Sequence, residues 1–283
     1  MTEGKKESPM QEALLLHPGQ MGTSIGASLV SRGIEVSWIS TGRSEATAAR
    51  ASEHGFVARD DLRDAVAAAD AIFSICPPEF ALSLGQEIHA LGFGGIFVDG
   101  NAVSPDTSIQ IANLFGDRFV DGGIVGPPAW SAGTTRFFLS GMAAENIADL
   151  FDGTPVEAKA IPGGPGKASA VKMAYAAWTK GGGALLLAVA AMAESYGVSD
   201  ALFEEWYRSQ PGLSQRAEGT AKGMSGKAWR FVGEMREIEK TLDGAGLPPE
   251  FFAGAAELYE RLADFRDDPQ ALKAVTAKLL GTG

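Results

Sequence analysis

Short apolar runs alternate with helix-like stretches over the first 160 residues. Residues 12–17 (EALLLH), 34–40 (IEVSWIS), 71–76 (AIFSIC), 95–100 (GIFVDG), 117–126 (DRFVDGGIVG), 135–141 (TRFFLSG) and 156–161 (VEAKAI) read as strands. Residues 23–33, 44–55 and about 79–91 read as helices, the first two closed by Gly33 and Gly55. Strands alternating with helices predict a parallel sheet covered on both faces. The cluster PGGPG at 162–166 breaks the pattern. No strand is expected after it. Residues 167–197 read as one long helix, and further helices follow, punctuated by Pro248-Pro249. The organisation expected is a disordered tail over 1–11, an α/β domain over 12–162 with a doubly wound sheet of Rossmann type, and an all-α domain over 163–283, joined through the long helix. No internal repeat stands out.

Charge narrows the partners. Lys plus Arg number 24 and Asp plus Glu 35, a formal net charge of −11, with no basic cluster to attract a phosphate backbone. A small-molecule ligand is expected and nucleic acid is not. The single cysteine, Cys76, rules out a disulfide framework within the chain and fits a reducing, cytoplasmic setting. The N-terminal lysines have no apolar core behind them, so no signal peptide is expected. The longest apolar run, ALLLAVAAMA at 184–193, falls short of the ~20 residues that span a bilayer and reads as a buried helix, with no membrane partner.

The stretch LLLHPGQMGTSIG (14–26) lies between the first strand and the first helix, where a dinucleotide fingerprint G-x-G-x-x-G would fall. His17 occupies the first glycine slot. Gly19 and Gly22 fill the next two, so Gly19-Gln20-Met21-Gly22 is the expected pyrophosphate cradle, with Pro18 shaping the turn. An NAD site needs a carboxylate after the second strand, but the chain there reads ISTGRS. Arg43 and Ser44 suit a 2′-phosphate instead, which points to NADP(H) over NAD(H). Ligands of open α/β sheets lie beyond the carboxyl ends of the strands. Cys76-Pro77 and Asn101 are therefore further cofactor candidates, with Asn101 directed at the nicotinamide or its ribose. No metal site is expected.

Three further stretches, VDGNAVSP (98–105), VDGGIVGPPAW (120–130) and GKASAVKMAY (166–175), make the chain resemble the β-hydroxyacid dehydrogenases, which share their architecture with 6-phosphogluconate dehydrogenase. The resemblance covers most of the first 180 residues. KMAYAAWTKGGGALL (172–186) and WRFVGEM (229–235) look typical of a subfamily with its own C-terminal helical domain. The resemblance implies a catalytic lysine at Lys172 and a substrate-binding segment at Val125-Gly126-Pro127. There the family's Ser-Gly-Gly is altered and a hydroxyl donor is lost. The family's asparagine after the lysine becomes Ala176, and its later Lys-Asp pair becomes Gly233-Glu234.

Lys172, Tyr175, Thr179 and Gly183 fall at i, i+3, i+7 and i+11, one face of a regular helix. Spacing alone equally allows a solvated Lys172 and a packing Tyr175; the resemblance implies Lys172 as proton donor and acceptor, assisted by Tyr175, with Thr179 beside the substrate. Lys167 and Lys180 read as surface residues. Gly181-Gly182-Gly183 suggests close approach of a neighbour or a break. Arg230, beside Trp229, is a candidate anchor for an anionic group, and Trp130 a pocket wall. The apolar run after the glycines suggests a homodimer core. Three functions compete: an NADP(H)-dependent dehydrogenase or reductase of a small hydroxy or oxo compound, an imine reductase, and a non-catalytic NADP-binding protein.

Overall fold

The computed structural model describes residues 10–282. The chain divides into two compact units that meet in sequence between Lys172 and Met173. Of the expected tail, residues 1–9 lie outside the described residues. Met10 packs against the core, and the Gln11 amide donates to the Asp70 carboxylate at 2.8 Å, so these two residues are held to the sheet.

The first unit is an eight-stranded sheet: β1 (Glu12–Leu15), β2 (Glu35–Ile39), β3 (Val57–Arg59), β4 (Ala71–Ser74), β5 (Ile96–Asp99), β6 (Phe119–Val125), β7 (Thr135–Ser140) and β8 (Val156–Ala160), in spatial order β3-β2-β1-β4-β5-β6-β7-β8. Its helices are α1 (Gln20–Ser31), α2 (Glu45–Glu53), α3 (Leu62–Ala68), α4 (Ala81–Ala90), α5 (Pro105–Phe115) and α6 (Ala144–Asp149). Six strands are parallel, as the alternation predicts. The all-parallel expectation needs one correction: β7 pairs antiparallel to β6. The nine residues between them are too few for a crossover, so the chain turns back, and β8 follows β7 in parallel.

Each face has its own core. Ile25, Leu29, Phe73, Val98, Val120 and Phe137 pack on one side. Leu14, Ile72, Phe97, Ile111, Phe115 and Phe119 pack on the other. Four elements escape the periodicity: β3, α3, α5 and α6. β3 is three residues of a half-exposed edge, too short to show alternation. The start of α5 is legible as a cap: Ser104 accepts the Thr107 amide at 3.2 Å and Pro105 opens the helix.

A single helix, α7 (Lys167–Ser195), runs 29 residues, and the chain passes from one unit into the next within it. Its most apolar window has a mean hydropathy of 1.3, so the helix is long and apolar enough by composition to cross a bilayer, although the helix carries Lys172 and Lys180. The glycine triplet does not break it. A π turn at Ala177–Gly181 takes up one extra residue per turn. A Cβ on Gly181 would lie 2.5 Å from the Phe252 ring, and one on Gly183 2.5 Å from the Met224 sulfur, so two of the three glycines admit neighbouring helices.

The rest of the second unit is α8 (Ser199–Ser209), α9 (Leu213–Met224), α10 (Ala228–Gly244), α11 (Glu250–Arg261) and α12 (Leu272–Leu280). Lys180, read as a surface residue, instead pairs with Glu234 of α10, and its ammonium lies 4.7 Å from the centre of the Phe231 ring. The hydroxyl of fully buried Tyr259 donates to the Lys180 carbonyl at 2.7 Å, inside the π turn. Burial and the Glu234 charge raise the Tyr259 phenol, which keeps it a donor.

Candidate active site

The loop after β1 is built to receive an anion. Gly19 precedes α1 and places no side chain on it, and no carboxylate occupies the first turn. The first bond within the helix is the Thr23 amide to the Gly19 carbonyl at 2.8 Å, so the amides of Gln20, Met21 and Gly22 precede it and point outward. A Cβ on Gly19 would meet nothing within 4 Å, leaving its outer face open. A Cβ on Gly22 would strike the His17 carbonyl, and one on Gly26 would lie 2.7 Å from Phe56. Gly19 thus faces the ligand side, while Gly22 and Gly26 let helix and strand approach. These residues fit a dinucleotide pyrophosphate.

Two arginines brace the turn where the first glycine is missing. Arg43 donates to the Leu16 carbonyl at 3.3 Å, and Arg50 to the Pro18 carbonyl at 3.4 Å. Arg50 is visible only in the fold, because it lies 32 residues from its partner. Burial and the Arg43 charge push the His17 imidazole down to about 4, so it is neutral and adds no charge to the loop. Ser44 is exposed and its hydroxyl caps α2, accepting the Thr47 amide at 3.3 Å.

The β4 and β5 ends change one expectation. Asn101 is 2% exposed, and its amide is taken up by protein. Its oxygen accepts the Cys76 amide at 2.5 Å, and its nitrogen donates to Ser74 at 3.0 Å and to Asp99. It ties two strand ends together and is not presented to a nicotinamide. Burial and Asp99 push the Cys76 thiol up to about 12, which leaves it unreactive; Pro77, beside it, accepts its weak S–H bond at 3.4 Å.

Beneath these ends lies a polar layer that the sequence reading missed. Phe-Val-Asp-Gly occurs twice, at 97–100 and 119–122, and the two copies are in register on adjacent parallel strands, Asp99 beside Asp121. This short repeat was the available signal. The neighbours are both buried, at 1% and 0% exposure. Asp121 accepts four hydrogen bonds: from Ser108 and Ser169 hydroxyls at 2.9 and 2.5 Å, from Ser140 at 3.1 Å, and from the Ser169 amide at 3.0 Å. Asp99 bonds Asn101 through one oxygen, and its other oxygen is buried without a partner. Burial and the Asp121 charge therefore push the Asp99 carboxyl up to about 8, and Asp99 holds the proton at neutral pH.

Lys172 is half-buried. A Cβ on Gly123 would lie 3.1 Å from the Lys172 Cβ and would strike the Ala168 carbonyl, so α7 rests directly on β6 at this lysine. At the end of β6, Val125 is buried, whereas Gly126, with φ of +121°, and Pro127 are exposed. Trp130 stacks on His54 with ring centres 4.8 Å apart.

In the second unit the predicted stripe does not continue as one face. Tyr175 is 48% exposed, Thr179 bonds back to the Tyr175 carbonyl at 2.9 Å, and Gly183 is buried. The π turn between them shifts the register. Arg230 and Arg266 lie over the Trp229 indole, 4.8 and 4.0 Å from its centre.

An open α/β sheet with an uncapped, glycine-lined helix start after β1 is the architecture of a dinucleotide-binding domain. Residues 18–152 match the NAD binding domain of 6-phosphogluconate dehydrogenase, and residues 193–262 match a domain of unknown function. The two matches fall on separate parts of the chain, the first within the α/β unit and the second within the helical unit.

An uncharacterized 28.5 kDa protein of Methanothermus fervidus is 32% identical over 173 residues, 60% of this chain and 66% of that protein, just under two thirds of its length. The conserved protein MTH1747, of unknown function and described as similar to 3-hydroxyacid dehydrogenases, is 26% identical with TM-score 0.67, covering 92% of this chain and 100% of that one. A Mycobacterium tuberculosis 3-hydroxyisobutyrate dehydrogenase with L-serine shares the fold at 19% identity and TM-score 0.71, over 95% and 99% of the two chains. So does an Aspergillus terreus reductive aminase with NADPH, at 17% identity and TM-score 0.55, over 95% and 98%.

Proposed function

We propose that the protein is an NADP(H)-dependent oxidoreductase that interconverts a small hydroxy and oxo compound, with Lys172 as general acid and base. The observation that carries this reading is the pairing of an open α1 N-terminus with Arg43 held against the same loop. The amides of Gln20, Met21 and Gly22 would hold the pyrophosphate, and Arg43 and Ser44 the 2′-phosphate. When bound, the cofactor supplies or takes up hydride. Lys172 Nζ gives a proton to the substrate oxygen in reduction and takes it back in oxidation.

One observation favours imine reduction as a second reading. Where the family resemblance calls for a serine hydroxyl beside the substrate, Val125 is buried and Gly126 and Pro127 offer no side-chain donor, which suits a substrate without a carboxylate. The same Lys172 proton would then go to the imine nitrogen.

Titration with NADPH and NADH, read by nicotinamide fluorescence, tests the first step. NADPH should bind more tightly, and Arg43→Ala should remove that advantage. Equal binding of the two would remove Arg43 from the site. Turnover of a small cyclic imine but not of oxo acids would select the second reading. Binding without turnover across both substrate classes would point to a non-catalytic role.

A homodimer in the cytoplasm completes the proposal. Trp178, Leu185 and Met192 recur every seven residues along α7 and are 70%, 50% and 55% exposed, beside a groove of about 400 Å³ lined by Leu185, Ala188, Phe251 and Leu258. Light scattering should give the mass of two chains, and Leu185→Glu with Met192→Glu should give one.

A further inference from the structure

We propose that Asp121 is the positioning residue for Lys172: a carboxylate supplied by the sheet that caps the lysine helix and fixes its rotation over β6. The proposal rests on the reading of Lys172 as proton donor.

The start of α7 lacks a side-chain cap of its own. The residue before Lys167 is Gly166, with φ of +91° and no side chain. Its early amides are satisfied from the sheet instead. The Ala168 amide donates to the Ser140 hydroxyl of β7 at 3.1 Å, and the Ser169 amide to Asp121 Oδ2 of β6 at 3.0 Å. The Ser140 hydroxyl donates to the same Asp121 oxygen at 3.1 Å, and the Ser169 hydroxyl donates to the other, Oδ1, at 2.5 Å. Two bonds to one residue, one through backbone and one through side chain, fix both the axial position and the rotation of the helix.

Lys172 follows Ser169 by three residues, so it rises one turn above the anchor on the same side. Gly123 follows Asp121 by two, so it shares the Asp121 face of β6, and its missing side chain sets the height of the helix at the Lys172 Cβ. A fully buried acceptor of four donors at a helix N-terminus suits a carboxylate, which the helix dipole also favours. Asp99 supports the arrangement: burial and the neighbouring Asp121 raise its own carboxyl to about 8, so Asp99 holds a proton at neutral pH.

The test uses Asp121→Asn, and Ser169→Ala in case the first variant fails to fold. Ser169→Thr is the conservative rescue, because it keeps the hydroxyl. Brief labelling with acetic anhydride, read by mass spectrometry, compares half-buried Lys172 with exposed Lys167 on the same helix. Ser169→Ala should raise labelling at Lys172 several-fold and leave Lys167 within about twofold, and Ser169→Thr should restore the native rate. In hydride transfer to a small cyclic imine, kcat should fall roughly 10- to 100-fold, with KM and NADPH affinity nearly unchanged, because misplacement of about 1 Å costs that much. Unchanged Lys172 labelling in folded Asp121→Asn and Ser169→Ala would overturn the proposal, as would an unchanged kcat in both while Lys172→Ala is inactive. Full turnover by Lys172→Ala would instead remove the proton-donor reading, and the labelling result would still decide whether Asp121 anchors the helix.

Discussion

The buried Asp99–Asp121 pair makes a quantitative demand on stability. Asp99 titrates near 8 in the fold and near 3.8 when exposed, so between these values the folded protein holds a proton that the unfolded chain has released. Stability must then fall as pH rises through the window, by up to about 1.36 kcal/mol per pH unit. From pH 5.5 to 7.5 the linkage gives a loss on the order of 2–3 kcal/mol from this group. Asp99→Asn removes the titration. The asparagine oxygen keeps the bonds from Asn101, while its amide falls where the Asp99 oxygen has no partner. That mismatch costs about 1–3 kcal/mol at every pH and does not alter the slope. His17, held near 4, contributes a slope of opposite sign between pH 4 and 6.5, but it is common to both proteins and cancels. Urea unfolding read by pulsed hydrogen exchange in peptides from β5 and β6 reports the first unit. The variant should gain on the wild type by roughly 2–3 kcal/mol across the window. A gap constant to within about 0.5 kcal/mol would falsify the assignment of a buried, protonated Asp99.

Three further outcomes follow from the geometry. Gly19→Ala meets open space and should leave the melting temperature unchanged while weakening NADPH roughly tenfold or more in fluorescence titration, whereas Gly22→Ala, which drives a methyl into the His17 carbonyl, should also lower the melting temperature. Lys180→Met leaves the largely buried Glu234 without its partner and should cost about 2–4 kcal/mol in denaturant unfolding; pairing it with Glu234→Met should recover much of the loss. Tyr259→Phe removes the bond to the Lys180 carbonyl and should cost about 1–1.5 kcal/mol by the same measurement.

The sequence determined those features whose causes are local. Periodicity located seven of the eight strands. The breaker cluster at 162–166 marked the end of the α/β pattern, and the spacing of Gly19, Gly22 and Gly26 announced a helix start packed closely on the strand, with an open outer face. Arg43 and Ser44 were legible because their position relative to the second strand is fixed by chain length alone. The tertiary structure decided what depends on partners distant in sequence. Asn101 looked available until its amide was seen engaged by Cys76, Ser74 and Asp99, 25 to 27 residues away in two cases. The stripe from Lys172 to Gly183 assumed 3.6 residues per turn, and a π turn stabilised by Tyr259, 79 residues on from Lys180, alters that count. Asp121 reads in the chain as one acid among many. Only sheet register sets it beside Asp99, and only the packing of α7 on Gly123 brings Ser169 to it, because burial and hydrogen-bond geometry arise when segments meet and no single segment encodes them.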